Sequence, residues 1–428
     1  MFSHFNNEPI VRGIKLRLGL TLLILLGVAG IAHADAVTDW NVIALNNAAV
    51  SGKNPIQQAR VFAMTQAAVH DALNAIDRRY QPYAMDQQAD PNSSPAAAVA
   101  AAAHDVLVHE LPTRLLALDA AYAASLSLIA DGSSKTDGIA IGQQAAATII
   151  ALRSADGSSA IVPYAPGFGL GVWQPTPPAF LPALQPGWGA VTPFTLRSGS
   201  QFRPDSPELL DLTSEQYTRD FNEVKALGSM NSATRTAAQS QIAMFWYEPS
   251  PGGWNRIARI VSAQRGLDLW ENARLFGLLN FAMADGLVAG FDAKYTYNFW
   301  RPVTAIRAGD TDGNDQTLSD PAWTSFLVTP NMPDYPSTHS VLGAAAAEVL
   351  SGFFDDDDVS FTTTSGNPFS GITRSFTSFS QAAQENADSR VYAGLHFRTT
   401  CTDGLKLGRQ VGRFGFKHYL KPAKNHDD

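Results

Sequence analysis

The residue types best suited to chemistry fall in three short segments. The first, Lys294 to Pro302, sets Lys294 and Arg301 seven residues apart. On a helix that is about two turns, so both cations share one face, and Pro302 ends the element at about Arg301. The second, Tyr335-Pro336-Ser337-Thr338-His339-Ser340, runs straight into the Ala-rich stretch Val341 to Leu350. A Ser ahead of strong helix formers is an N-cap signal. Ser337, Thr338 and His339 therefore sit where a helix presents unpaired N–H groups and its positive dipole end, a ready-made anion site. A histidine placed there can also give or take a proton near neutral pH. The third segment holds Ser389-Arg390 and, six residues after the arginine, His396. These two do not share a face of a straight helix. They converge only if the helix starts or bends near Gly394, or if a third element closes over them. Singly, each segment reads as a helix cap or a solvated face. Together, one Lys, two Arg, two His and a helix N-terminus describe a pocket for a compact, multiply charged oxyanion.

The order and spacing of these segments resemble the vanadium-dependent haloperoxidase and type 2 phosphatidic acid phosphatase superfamily, whose pattern is K-x6-RP, P-S-G-H and S-R-x5-H-x3-D. Lys294…Arg301-Pro302 matches the first box in full, and Ser389-Arg390…His396 matches the start of the third. In the middle box, Pro336-Ser337-Thr338-His339, Thr338 stands in place of Gly. The resemblance implies an all-α fold of helical bundles and a vanadate cofactor. It also implies that His396 is the nitrogen ligand to vanadium, with Lys294, Arg301, Ser337, the backbone of Thr338 and Arg390 on the oxygens. His339 is then the acid/base toward hydrogen peroxide, and Lys294 polarises the peroxide for attack by halide. Vanadate has the charge and shape of phosphate, so the same residues suit an exported acid phosphatase. There His396 attacks phosphorus and His339 protonates the leaving group. A third reading is a non-catalytic exported helical protein that binds anions. Against it stand both histidines, since the cations and the helix end alone would bind an anion.

Two departures bear on the branch. Phe291 stands where chloride-oxidising members carry a tryptophan, and Met332 where they carry a phenylalanine, so the halide wall is altered. Thr400 stands where the superfamily's carboxylate follows the histidine, with Asp403 three residues later. To orient His396, Asp403 must reach it through a reshaped turn, or the support comes from elsewhere.

The elements that must position these residues follow from composition and periodicity. Residues 1–34 read as an export signal: Arg12, Lys15 and Arg17, then the apolar run Leu18 to Ile31, then Ala32-His33-Ala34. The mature chain is expected to be periplasmic or secreted, with no integral membrane span. The net charge of −8 argues against a nucleic-acid surface. Cys401 is the one cysteine, which excludes an intrachain disulfide and favours a structural thiol. Residues 35–155 read as a helical scaffold containing His70-Asp71, assigned to helix packing, and His104 and His109, to which no role is assigned. Residues 156–210 are too rich in Pro for long helices and too aromatic for a flexible linker, and are expected to wrap the body. Residues 211–428 form the bundle that carries the site, with helices over Thr213 to Leu227, Ser232 to Tyr247 and Asn255 to Gly290. Asp285 interrupts the apolar stretch Leu275 to Phe291, which favours a buried helix over a membrane span. Asp310 to Asp315 lacks the geometry of a calcium loop, Asp355 to Asp358 reads as a solvated turn, and 359–380 reads as a loop. A homodimer is implied by resemblance alone.

Overall fold

The computed structural model describes residues 35–423, so the proposed export signal lies outside the described residues. Five helices come first: α1 (Ala36–Ala49), α2 (Pro55–Ile76), α3 (Pro95–Glu110), α4 (Leu115–Ser127) and α5 (Ser133–Arg153). After the Pro-rich segment come α6 (Glu215–Leu227), α7 (Ala237–Phe245), α8 (Ser250–Arg265), α9 (Leu269–Tyr297) and α10 (Pro302–Arg307). The series closes with α11 (Thr338–Phe354), α12 (Phe379–Tyr392) and α13 (Arg398–His418).

Two helices form the axis of the molecule. Every residue from Ala59 to Ile76 of α2 is buried, as is every residue from Leu275 to Phe291 of α9. A helix apolar on all sides is stable only when surrounded, and these two pack on each other with the remaining helices around them. Helix α9 is long and apolar enough to cross a membrane, yet it is the core helix here. Its Asp285 is fully buried and ties down the Pro-rich segment, accepting from the backbone N–H groups of Phe194, Thr195 and Leu196. Burial raises the carboxyl's pKa, and these hydrogen bonds oppose that rise.

The site sits between α9, α11 and α13. Helix α13 approaches α11 along Gly404, Gly408 and Gly412, three residues spaced by one turn. A methyl group on Gly408 would lie 2.2 Å from the Val341 carbonyl oxygen, so only glycine allows this crossing.

Three expectations about elements require correction. The stretch Asn255 to Gly290 is not one helix: Gly266, at φ +66°, ends α8, and Asp268 caps α9 with a capping box. The 359–380 segment is not all loop but contains an antiparallel hairpin, β1 (Phe361–Thr364) with β2 (Thr373–Phe376), in which Phe361 faces Phe376. Phe361 and Thr363 of β1 and Phe376 of β2 are buried, while Thr362 and Thr364 face solvent. Lastly, Lys294 and Arg301 do not share a helix face. Asn298 adopts the left-handed conformation and ends α9, and Arg301 is the N-cap of α10.

Candidate active site

Each of the three segments reaches the pocket through a break in helix geometry. Lys294 lies in the last turn of α9, and Arg301 three residues past its left-handed cap. Ser337 is the N-cap of α11, its hydroxyl facing the Ser340 N–H at 3.5 Å. Thr338 and His339 open the helix, where backbone N–H groups lack a carbonyl one turn back. Arg390 is near the end of α12, Gly394 (φ +77°) turns the chain, and His396 precedes α13. The bend expected near Gly394 is therefore what lets Arg390 and His396 converge.

The cations are buried almost completely. Lys294 Nζ donates to the carbonyls of Pro333 at 2.7 Å and Asp334 at 2.8 Å. Arg301 Nε donates to Met332 O at 2.8 Å and Nη1 to Leu395 O at 2.9 Å. Arg390 is different: its Nε and Nη1 are buried without a partner among the described residues. Burial, joined by mutual repulsion, holds Lys294 well below the usual lysine range. Burial likewise pushes Arg301 and Arg390 down to about 10.

The two histidines have distinct settings. His396 Nδ1 lies 2.7 Å from Asp334 Oδ1 and 3.2 Å from Thr400 Oγ1. Nδ1–H donating to the carboxylate leaves the lone pair on Nε2, which faces Arg301 Nη1 at 3.0 Å. Burial, then Arg301, Lys294, Arg390 and His339, hold His396 well below the usual histidine range. Arg301, Lys294, Arg390 and His339 thus all lie near enough to His396 to act on its charge. His339 is half-buried, receives support from the Glu248 backbone carbonyl, and keeps a buried Nε2 with no partner. Burial and Arg390 hold it neutral as well.

Asp334, which sequence reasoning passed over, supports His396. Burial pushes its carboxyl up to about 7, against the pull of Arg301 and Lys294. Its signal was available, as the acid directly before Tyr335-Pro336-Ser337. Asp403 is turned away and accepts instead from Tyr335 Oη at 3.0 Å and Lys406 Nζ at 2.9 Å. Cys401 is a buried thiol whose pKa burial raises to about 12, consistent with packing rather than reactivity.

In front of His339 lies a cavity of about 230 Å³, with Phe291, Met332, Leu287 and Leu342 in its wall. The pocket thus combines unmatched buried donors (Arg390 Nε and Nη1), an open imidazole nitrogen, a helix N-terminus and an apolar mouth. Donors without acceptors in a buried site fit a compact oxyanion such as vanadate or phosphate. Other singled-out residues lie elsewhere. His70 Nε2 meets the Gln81 carbonyl at 3.0 Å, Asp71 accepts from the N–H groups of Tyr83, Ala84 and Met85, and His104 sits between Asp105 and Asp119. Asp312 of the polar loop accepts from Thr317.

Comparison with known proteins places this geometry. Residues 274–425 match the family model of the VCPO second helical-bundle domain. Vanadium chloroperoxidase of Curvularia inaequalis is 25% identical over 275 residues, which is 50% of this chain and 45% of that protein. The match thus spans about half the length of that curated relative. Among solved structures, a bacterial vanadium-dependent iodoperoxidase superposes with a TM-score of 0.78 and 27% identity, covering 90% of this chain and 98% of the other. The holo form of a bacterial vanadium-dependent chloroperoxidase superposes with a TM-score of 0.72 at 18% identity, covering 86% and 93%, a likeness of fold. By family model over residues 274–425, by sequence and by fold, the chain is similar to the vanadium haloperoxidases.

Proposed function

We propose that the protein is a haloperoxidase that oxidises halide with hydrogen peroxide at a vanadate held by His396. The observation that carries this reading is a set of buried groups without protein partners among the described residues: Arg390 Nε, Arg390 Nη1 and His339 Nε2. Likeness to the bacterial iodoperoxidase along nearly its whole length supports the oxidative branch. Vanadate, when bound, supplies the transfer of oxygen from peroxide to halide.

The chain's own residues bind, orient and move protons. His396 offers Nε2 as ligand because Asp334 holds the proton-bearing Nδ1. Arg301, Arg390, Ser337 and the first N–H groups of α11 hold the oxygens and neutralise their charge in a site with little water. Lys294 spends two of its three ammonium protons on the Pro333 and Asp334 carbonyls, leaving one to polarise an oxygen. His339, neutral and with Nε2 free, takes the proton of incoming peroxide and returns it to the departing water. The apolar mouth, with Met332 and Phe291 in its wall, suits the larger, weakly hydrated halides, so iodide and bromide are the proposed substrates rather than chloride.

The tautomer of His396 also suits attack on phosphorus, which gives the phosphatase reading a specific basis. One paired assay on the purified protein separates the two. Halogenation of an acceptor dye with orthovanadate, hydrogen peroxide and iodide or bromide, removed by His396→Ala, is the expected result. Hydrolysis of p-nitrophenyl phosphate that vanadate inhibits, with no halogenation from pH 5 to 8, would replace the proposal with a phosphatase. Silence in both arms would leave a non-catalytic anion binder.

A further inference from the structure

The superfamily pattern carries a carboxylate four residues after its third-box histidine, and this chain has Thr400 there. A ligating or nucleophilic imidazole without a partner on its second nitrogen loses both its tautomer and its orientation. Two acids are near enough in sequence or space to compensate. Asp403 faces Tyr335 and Lys406. Asp334 approaches from another segment, three residues before the cap of α11, and is fully buried.

Its contacts reach further than one ring. Oδ1 lies 2.7 Å from His396 Nδ1 and 3.5 Å from Arg301 Nη1. The backbone carbonyl accepts from Lys294 Nζ at 2.8 Å, and the backbone N–H donates to Phe299 O at 2.8 Å. Thr400 Oγ1 stands farther from the ring, at 3.2 Å, and is uncharged.

We infer that Asp334 is the positioning residue of the site, doing from the loop before α11 what the missing carboxylate at position 400 would do from α13. The relocation has a consequence that a carboxylate on α13 would lack. Asp334 meets Lys294 through its backbone carbonyl and Arg301 and His396 through its carboxylate, so one residue just ahead of the middle box touches the other two boxes. The inference rests on the oxyanion site proposed above and holds whether the pocket takes vanadate or a phosphate ester.

The test measures orthovanadate binding by equilibrium dialysis on purified variants whose folding is confirmed by circular dichroism. Asp334→Asn, which keeps shape and removes charge, is expected to weaken binding about 10–100-fold. Asp403→Asn is expected to bind like the wild type. The decisive variant is the swap Asp334→Asn with Thr400→Asp, expected to recover most of the lost affinity because Asp is close to Thr in size and position 400 already reaches Nδ1. A purely structural role for Asp334 would not be rescued from another helix. Wild-type affinity in Asp334→Asn, or a folded swap variant no better than Asp334→Asn, overturns the inference. If Asp334→Asn does not fold, Thr400→Val decides in the wild-type background. It should cost less than about tenfold, the worth of one neutral hydrogen bond, and a loss equal to that of His396→Ala would overturn the assignment. Failure of the wild type itself to bind orthovanadate would take away the oxyanion reading, and this inference with it.

Discussion

The helical scaffold and the C-terminal bundle both bury arginines, and they treat them oppositely. In the scaffold, Arg60 pairs with Asp156 at 2.7 Å and Glu110 at 2.9 Å, and Arg153 pairs with Asp156 at 2.9 Å. Arg153 also donates to the Pro193 and Thr192 carbonyls and lies over the Phe194 ring. This cluster lines a cavity of about 420 Å³, larger than the one before His339. Yet its guanidinium donors end on protein acceptors, and none is orphaned among the described residues. In the bundle, Arg390 has buried donors with no acceptor, and His339 has a buried nitrogen with none. Buried charge and cavity size, taken alone, would have pointed to the cavity beside Arg60 and Arg153. What marks the candidate site is buried polarity left unmatched at Arg390 and His339.

That contrast can be broken in three ways. The largest effect is expected in the scaffold. Asp156→Asn leaves Arg153 without a carboxylate partner and Arg60 with Glu110 alone, which should lower the unfolding free energy by about 3–5 kcal/mol. Orthovanadate affinity of the protein that remains folded should be unchanged. Urea denaturation and dialysis on the same sample check both halves, and a loss of affinity would mean that the scaffold cluster is part of the site.

Arg390→Met should behave the other way. An unmatched buried charge is replaced by an apolar side chain of similar length, so stability is expected to hold or rise. Oxyanion affinity should fall by about 100-fold, since charge-assisted hydrogen bonds are worth about 1.5–3 kcal/mol each. A variant that loses stability and affinity in parallel would show Arg390 to be a structural group like Arg153.

The smallest effect concerns pH. Burial holds His70 of α2 down to about 4, so it is neutral in the folded chain and protonated in the unfolded chain below about 6.5. Its contribution is present above pH 6.5 and is lost as pH falls toward 4. Asp71, raised by burial to about 6, works in the opposite sense between its unfolded value and 6, so the measurement must be a difference. Comparing the wild type with His70→Gln, the gap in unfolding free energy should narrow by about 2–3 kcal/mol between pH 7 and pH 4. A constant gap would show that His70 titrates in the fold as it does in the unfolded chain.

Residue type and spacing alone determined a good deal. The Ala-rich run behind Ser337 made α11 and its cap legible, because capping and helix propensity act over a few residues. The three boxes supplied seven candidate groups, Lys294, Arg301, Ser337, Thr338, His339, Arg390 and His396, but not Asp334, and the buried character of α9 followed from its apolar length. Local signals faltered where a left-handed residue interrupted periodicity. Asn298 separated Lys294 from Arg301, and Gly266 divided what had read as one helix. The hairpin at Phe361–Thr364 was hidden because short strands take their stability from pairing and packing, not from intrinsic preference. Only the tertiary structure decided which carboxylate serves His396. Asp403 is seven residues from the histidine and faces away, whereas Asp334 is sixty-two residues distant and in contact at 2.7 Å. Hydrogen bonds depend on distance in space, and the crossing of α11 with α13 at Gly408 sets that distance.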